Sequence, residues 1–401
     1  NVCAYKKYLK HDSKLLAVVK ADAYGCGACM IANTLLASGV SMLGVASIDE
    51  GMQLREAKID APILILGACP TWAFEFAAKN NIMISIFTKE HLEALKMVYI
   101  KSQIRPKVHV KIDTGMNRIG VSSDNSIEFL NEVINANYLD LRGIFTHLAC
   151  AENEEKTKKQ ISLFTSIVDK FELKDLDIHF LNTAGILAYN NESVYNLARL
   201  GIGIYGAIPE LPKNRQVDIK LKNVLSLKGR IVNIHTAYKN EGVSYSHTYV
   251  ANKDIKIATI PIGYADGVDR GLSNKIYGIL NGKLVKQVGN ITMDQMMFDI
   301  TEVNNVCQGD IITLLGDDDA SGLSLSIQNW AGILNTIDYE LYRNSLVKGF
   351  EMTLEQNGKL LKKKLNPYFA SKKPLICFPL RIFLDTHINI LLYLRKKPKG
   401  G

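Results

Sequence analysis

Short apolar or β-branched runs recur along the first half of the chain, at Leu15–Val19, Met42–Ala46, Pro62–Gly67, Ile82–Phe87, Val108–Ile112, Leu141–His147, Ile178–Asn182 and Leu197–Tyr205. They are nearly continuous rather than alternating, the pattern of strands buried on both faces. Between them lie segments with apolar residues three and four apart, the spacing of one helix face. Cys29–Ala37, Glu50–Ala57, Ile127–Ala136 and Gln160–Phe171 are the clearest. Gly39, Gly51 and Gly67 punctuate the turns. Eight strands alternating with helices predict an α/β fold, an eight-stranded β/α (TIM-like) barrel, with an open doubly wound sheet as the second choice. A barrel makes a demand: its chemical groups belong where strands end and loops begin, on the C-terminal side.

From about Asp218 the pattern changes. Val224–Val232, Ile255–Ile262, Lys283–Val288 and Met296–Ile300 read as strands, with turns marked by Gly242, Gly263, Gly267, Gly278, Gly282 and Gly309. No helical pattern returns until Ser324–Ile333. The expected organisation is a barrel over 1–212, a mostly β domain over 213–350 with Leu211–Asn214 as linker, and an atypical tail over 351–401.

Charge adds one fact. The net charge is +8, but Gly358–Gly401 alone holds eleven Lys and Arg against the single acid Asp385. The body therefore carries a slight acidic excess and lacks the basic folded face of a nucleic-acid binder. In the tail, Ile376–Leu380 and Ile388–Leu394 set apolar pieces between lysine clusters, a pattern open to a membrane-surface helix or to an aberrant ending without a role. There is no run of eighteen uncharged apolar residues, so no membrane partner is expected. The seven cysteines are scattered, and Cys26-x-x-Cys29 has no second pair to complete a zinc site. They read as free thiols in a reducing compartment. The chain opens on Asn1 without a methionine and is expected to lack residues before it.

Several residues could carry chemistry. Lys20 follows the apolar run Leu15–Val19. It either snorkels to the barrel rim or is desolvated into an amine able to form a Schiff base. The following Ala21-Asp22-Ala23-Tyr24-Gly25 offers a hydroxyl and a glycine to an approaching phosphate. In Lys111-Ile112-Asp113-Thr114-Gly115-Met116-Asn117-Arg118, charges at a strand end must pair or bind something, so the cluster is an anion clamp or a structural network. His147 is a base, a ring support or a core histidine. With no second ligand on its element, no metal is expected. Asn182-Thr183 and Arg199-Leu200-Gly201-Ile202-Gly203 sit at the last two strands, where β/α barrels cradle phosphate. Arg199 reads as unnecessary for packing and free to meet an anion or a ring nitrogen. Tyr245, Tyr264 and the Met293-Asp294 pair stand beside turns of the β domain.

Together these segments resemble the alanine racemases, from about Leu15 to Glu340. The resemblance is carried by Ala17–Gly25, Lys111–Gly120, Arg199–Gly206, Ser244-Tyr245, Gly263–Gly267, Met293–Gln295 and Thr336-Ile337-Asp338-Tyr339-Glu340, in that order. It implies pyridoxal 5'-phosphate as cofactor and interconversion of L-alanine and D-alanine, which supplies peptidoglycan precursors. It implies a cytoplasmic homodimer. Lys20 would hold the cofactor and carry protons on one face of the substrate carbon. Tyr245, from the partner subunit, would serve the other face. Arg199 would face the pyridine nitrogen and His147 would support the ring. Tyr24, Thr183, Gly201, Ile202 and Tyr339 would bind phosphate. Arg118 would meet the cofactor phenol oxygen and the substrate carboxylate, with the Met293 backbone nearby. Lys111 matches a lysine that is often carbamylated, and Tyr264 and Asp294 would line the entrance. The chain departs from the pattern at Cys26, often histidine, at Leu200, usually proline, and in its ending after Glu340. The first strand of the family is missing before Asn1. Competing readings are a serine or broad-specificity racemase, against which bulky Tyr339 weighs, a barrel-type decarboxylase, and an inactive cofactor-binding homologue.

Overall fold

The computed structural model describes residues 1–9, 13–192, 196–326 and 330. The predicted site residue Tyr339, the Thr336–Glu340 motif and the tail lie outside the described residues. Two compact units divide at Lys222/Asn223.

In the first unit, strands β1 (Lys14–Val18), β2 (Met42–Val45), β3 (Ile63–Ile65), β4 (Ile82–Ile86) and β5 (Lys107–Asp113) are followed by the two-residue β6 (Val121–Ser122), then β7 (Asp140–Phe145), β8 (Asp177–His179) and β9 (Leu197–Leu200). Eight of them form one parallel sheet in the order β8-β7-β5-β4-β3-β2-β1-β9, with β6 appended to β5. The N–H of Arg199 in β9 donates to the carbonyl of Leu181, two residues past β8, at 2.9 Å, so the sheet is nearly closed. This is the β/α barrel, not the open sheet.

Burial on both faces is visible residue by residue. Leu15, Ala17, Leu43, Val45, Ile63, Ile65, Ile82, Ile84 and Ile86 join the large core between sheet and helices. The alternate residues Leu16, Val18, Met42, Leu64, Met83 and Leu197 form a separate cluster inside the barrel. The rest of the interior is polar: His109 and Lys111 on β5, His179 on β8 and Arg199 on β9 are all buried.

The predicted helices are present with earlier starts, at Ala28–Ala37, Ile48–Glu56, Ser123–Ile134 and Glu154–Val168. Caps explain two of the shifts: Ser47 accepts from the N–H of Glu50, and Asn153 from that of Lys156. The pattern reading missed Phe74–Lys79, Lys89–Ser102 and Thr183–Ala188.

Arg55 stitches the N-terminal rim of the barrel. Its Nε donates to the carbonyl of Asn80 at 2.9 Å, Nη2 to that of Asn81 at 2.8 Å, and Nη1 to those of Ala61 at 2.9 Å and Ile59. One planar fork thus ties the approaches to β3 and β4. Arg55→Ala is expected to cost on the order of 2 kcal/mol, seen as a fall of about 5 °C in Tm. Arg55→Lys should recover little of it, because one ammonium cannot span all four carbonyls. A Tm for Arg55→Ala equal to wild type would remove that role.

The second unit is antiparallel. Its strands are β10 (Leu227–Arg230), β11 (Asn233–Ala237), β12 (Gly242–Val243), β13 (Tyr249–Val250), β14 (Ile255–Ile260), β15 (Tyr277–Leu280), β16 (Lys283–Val288), β17 (Met296–Asp299), β18 (Ile311–Asp318) and β19 (Leu323–Leu325). Eight form one sheet, in the order β10-β18-β15-β16-β17-β14-β11 with β19 on β18, and β12 pairs β13 apart from it. Four of these ten strands, β10, β14, β16 and β17, match the predicted runs; β11, β12, β13, β15, β18 and β19 do not. Ser324 and Leu325, predicted to start a helix, belong to β19.

Candidate active site

After β1 the backbone turns the wrong way round. Ala21, Asp22, Ala23 and Tyr24 have φ of 51°, 50°, 55° and 58°, one left-handed turn of L-residues. Each costs roughly 1–2 kcal/mol, so partners must impose it. The Glu50 carboxylate accepts from the N–H of Ala21 and from that of Ala46, both at 2.7 Å. Asp22 Oδ1 accepts from the N–H of Ala28 at 2.7 Å, and Ala23 N–H donates to the Val19 carbonyl at 2.8 Å. Lys20 stands at the head of this turn. Of the two readings of Lys20, the structure shows the one in which the side chain reaches the rim, because it is exposed. It sits beyond the last buried strand residue, Val19, where the barrel mouth opens.

The same turn delivers Tyr24. A Cβ built on Gly201 would lie 3.1 Å from Tyr24 Oη and 3.8 Å from Thr183 Oγ1. Thr183 Oγ1 accepts from the N–H of Gly201 at 3.0 Å. Two hydroxyls and a backbone therefore converge on a space that any larger residue would fill. The Tyr24 and Tyr205 rings are 4.7 Å apart, and Tyr205 Oη donates to the Val18 carbonyl at 3.0 Å, so the cradle is braced against β1. Ile202 opens the short turn Ile202–Tyr205, whereas the sequence predicted strand up to Tyr205. Likewise Asn182 does not end a strand but caps Thr183–Ala188, accepting from Gly185 N–H at 2.9 Å.

Arg199 overturns its expected freedom from packing duty. It lies within β9, buried, with its guanidinium across the barrel. Nη1 donates to His179 Nδ1 at 2.6 Å and to the His179 carbonyl at 3.3 Å. Nη2 donates to Thr146 O at 2.8 Å, His147 Nδ1 at 3.1 Å and Phe180 O at 3.2 Å. Burial lowers its pKa to about 9, so it stays charged at neutral pH. His147 lies two residues past β7 and is partly buried. Burial first, then Arg199, Lys111, Arg118 and Lys20, hold it well below the ordinary imidazole range. The imidazole is therefore neutral.

Lys111 is buried, its Nζ 5.4 Å above the Phe145 ring, whose centre also lies 5.4 Å from Arg199 Cζ. Burial, aided by Arg199 and Arg118, lowers its pKa to about 8. Arg118 itself is exposed, on a loop that Asp113 orders by accepting from the N–H groups of Gly115, Met116 and Asn117 at 2.9, 2.9 and 3.1 Å. Lys20, Lys111, Arg118 and Arg199 thus share one mouth. Four cations, a cradle of two hydroxyls and a neutral imidazole suit a phosphorylated, multiply anionic small molecule. Pyridoxal phosphate, an aldehyde with a phosphate arm, fits this set: the cradle would take the phosphate and Lys20 would offer the amine. Among the described residues no three His, Cys, Asp or Glu side chains are grouped to hold a metal, and none of the six described cysteines is in a disulfide.

The sequence reading missed Glu50, His109 and His179, and named Asp113 only as part of the Lys111–Arg118 cluster. The signal for the two histidines was present, as polar residues inside apolar runs.

The second unit gathers its own predicted residues. Tyr245 is 70% exposed, on a segment where Ser244, Ser246 and His247 have φ of 64°, 60° and 45°. Ser244 Oγ donates to the Asn290 carbonyl at 2.7 Å, and Asn290 Nδ2 to that of Tyr245 at 2.8 Å. These two bonds hold the backbone of the segment, and the Tyr245 ring projects from it. Tyr264 and Ala265 N–H groups donate to the carbonyls of Thr292 and Met293, both at 3.0 Å. Gly263 permits this approach, since a Cβ there would meet those carbonyl oxygens at 2.2 and 2.3 Å. Tyr264, Met293 and Asp294 therefore stand together, exposed. Thr292 and Gln295 line one open groove with Tyr245.

A parallel barrel with a lysine at its mouth and an anion cradle, followed by an antiparallel unit, defines the barrel class of amino-acid racemases. The comparisons narrow the class. The family models for the alanine racemase N-terminal and C-terminal domains match residues 1–209 and 224–346. Alanine racemase 2 of Oceanobacillus iheyensis is 38% identical over 85% of this chain and 86% of its own. The structure of alanine racemase from Clostridium difficile 630 superposes with a TM-score of 0.74 at 34% identity, over 85% of this chain and 89% of its own. A histidine racemase from Leuconostoc mesenteroides reaches a TM-score of 0.73 at 28% identity, over 87% and 92%. The chain belongs to the alanine racemase family.

Proposed function

We propose that the chain interconverts L- and D-alanine as a pyridoxal-phosphate enzyme, acting as a cytoplasmic homodimer that supplies D-alanine for peptidoglycan precursors. The observation that carries the reading is the convergence of an exposed amine, Lys20, with the Tyr24–Thr183–Gly201 cradle and the buried cation Arg199 at one barrel mouth. When bound, the cofactor supplies an electron-withdrawing ring that acidifies the substrate Cα–H bond.

The chain's own residues divide the rest of the work. Tyr24, Thr183, Gly201, Ile202 and Tyr339 anchor the phosphate. Arg199 would face the ring nitrogen and, as a guanidinium that only donates hydrogen bonds, would surrender no proton to it, limiting side reactions such as transamination. His147 supports the ring as a neutral imidazole. Arg118 and the Met293 backbone hold the substrate carboxylate. Lys111, with its lowered pKa, is suited to carbamylation, and a carbamate would orient Arg118. Lys20 takes or returns the Cα proton on one face. Tyr245 of the partner subunit does so on the opposite face, the arrangement that inversion requires. Tyr264 and Asp294 screen the entrance.

The histidine racemase at 28% identity is a relative that acts on a larger side chain. Bulky Tyr339 and the 38% identity to an alanine racemase favour alanine here. The test is exchange in deuterated water. The purified chain with pyridoxal phosphate should place deuterium on Cα of both alanine enantiomers and drive optical rotation to zero, with L-serine and L-histidine slower. Failure to take up the cofactor would overturn the reading. Uptake without exchange would identify an inactive homologue.

A further inference from the structure

His109 is buried in the middle of β5, and nothing so far gives it work. Its Nδ1 lies 3.1 Å from His179 Nε2, and its own Nε2 is buried without a hydrogen-bond partner. The protonation of the whole chain of groups follows from one fact: a guanidinium only donates. His179 Nδ1, 2.6 Å from Arg199 Nη1, must offer a lone pair. Neutral His179 then carries its proton on Nε2 and donates it to His109 Nδ1. His109 must in turn carry its proton on Nε2, the atom left unpartnered. By the same logic His147, whose Nδ1 is 3.1 Å from Arg199 Nη2, is protonated on Nε2. Burial, with Arg199 adding to it, lowers His109 to about 3 and puts His179 well below its ordinary range, so neither ring is charged at neutral pH.

An apolar side chain would avoid the cost of burying an unpartnered N–H. The fold nevertheless makes room for the ring: a Cβ on Gly143 of β7 would lie 2.5 Å from both His109 Nδ1 and Cε1. We propose that His109 is a positioning residue for Arg199: as the acceptor for His179 Nε2–H, it holds His179 in the tautomer that presents a lone pair to the guanidinium. The link to racemisation rests on the reading above, in which Arg199 faces the cofactor ring; the tautomer assignment does not.

The experiment is long-range proton–nitrogen correlation on the full chain with ring-15N histidine, at neutral pH, with and without pyridoxal phosphate. His109, His147 and His179 should each be neutral with hydrogen on Nε2. His109→Leu should leave His179 distributed over both tautomers and lower kcat about tenfold with little change in KM for alanine. His109→Asn, which keeps an acceptor beside the backbone, should restore the His179 pattern and most of kcat. Nδ1–H on His179 in the wild-type chain would overturn the proposal. So would a folded His109→Leu with unchanged His179 signals and kcat, or an Asn variant as impaired as Leu. If His109→Leu does not fold, the wild-type spectrum and the Asn variant decide. A wild-type chain with the stated tautomers and no racemase activity would sink the functional reading alone.

Discussion

Lys20→Ala is expected to abolish racemisation, by at least about 10⁴-fold, together with the colour of lysine-bound cofactor. The amine has two duties in the proposed reaction, holding the cofactor and moving a proton, and each alone is worth orders of magnitude. The side chain is exposed and packs into no core, so the variant should unfold at the wild-type temperature. That separation makes the result interpretable. Loss of activity with unchanged Tm and lost colour assigns Lys20; a coloured, active Lys20→Ala would move the chemistry to another lysine, of which buried Lys111 is the first to test. Glu50 enters here as well. Its two hydrogen bonds at 2.7 Å impose the turn below Lys20, so its loss would misdirect the amine without touching substrate.

Tyr245→Phe is the second large effect. It should lower interconversion about 10³-fold, within the range that one general acid or base contributes, and leave cofactor uptake intact. Because one base remains, deuterium should still enter the Cα of one enantiomer faster than the other, an asymmetry the wild-type chain lacks. The substitution removes one hydroxyl from a ring that is 70% exposed, so stability should hold. Near-normal conversion by Tyr245→Phe would mean that a different group faces that side of the carbon.

These two residues were legible in the sequence, but for unequal reasons. Lys20 could be placed by physics at the end of a buried strand. Tyr245 owed its selection to the family motif, since one tyrosine among seventeen beside a turn has no signature of its own. The barrel was legible because its strands are buried on both faces and so read as unbroken apolar runs, Leu15–Val19 and Ile82–Phe87 among them. The second unit hid its strands where one face meets water. In β11, Asn233–Ala237, only Ala237 is buried, and no periodicity survives in so short a piece. Lys89–Ser102 escaped notice because exposed Met97 and Ile100 blur the buried stripe of Leu92, Leu95 and Val98. Arg199 was found and misread: it was taken as spare, whereas it fastens three strand ends. Strand ends were extended too far at His147, Asn182 and Tyr205, because apolar side chains continue into the loops that form the mouth.

The left-handed turn at Ala21–Tyr24 says something about where competence resides. Excised as a short peptide, Val19–Gly27 would keep every letter of its motif and lose Glu50 and Tyr205, which hold the turn from outside. The aim of the amine is a property of the assembled cylinder, borrowed from residues far along the chain, and cannot travel with the motif alone.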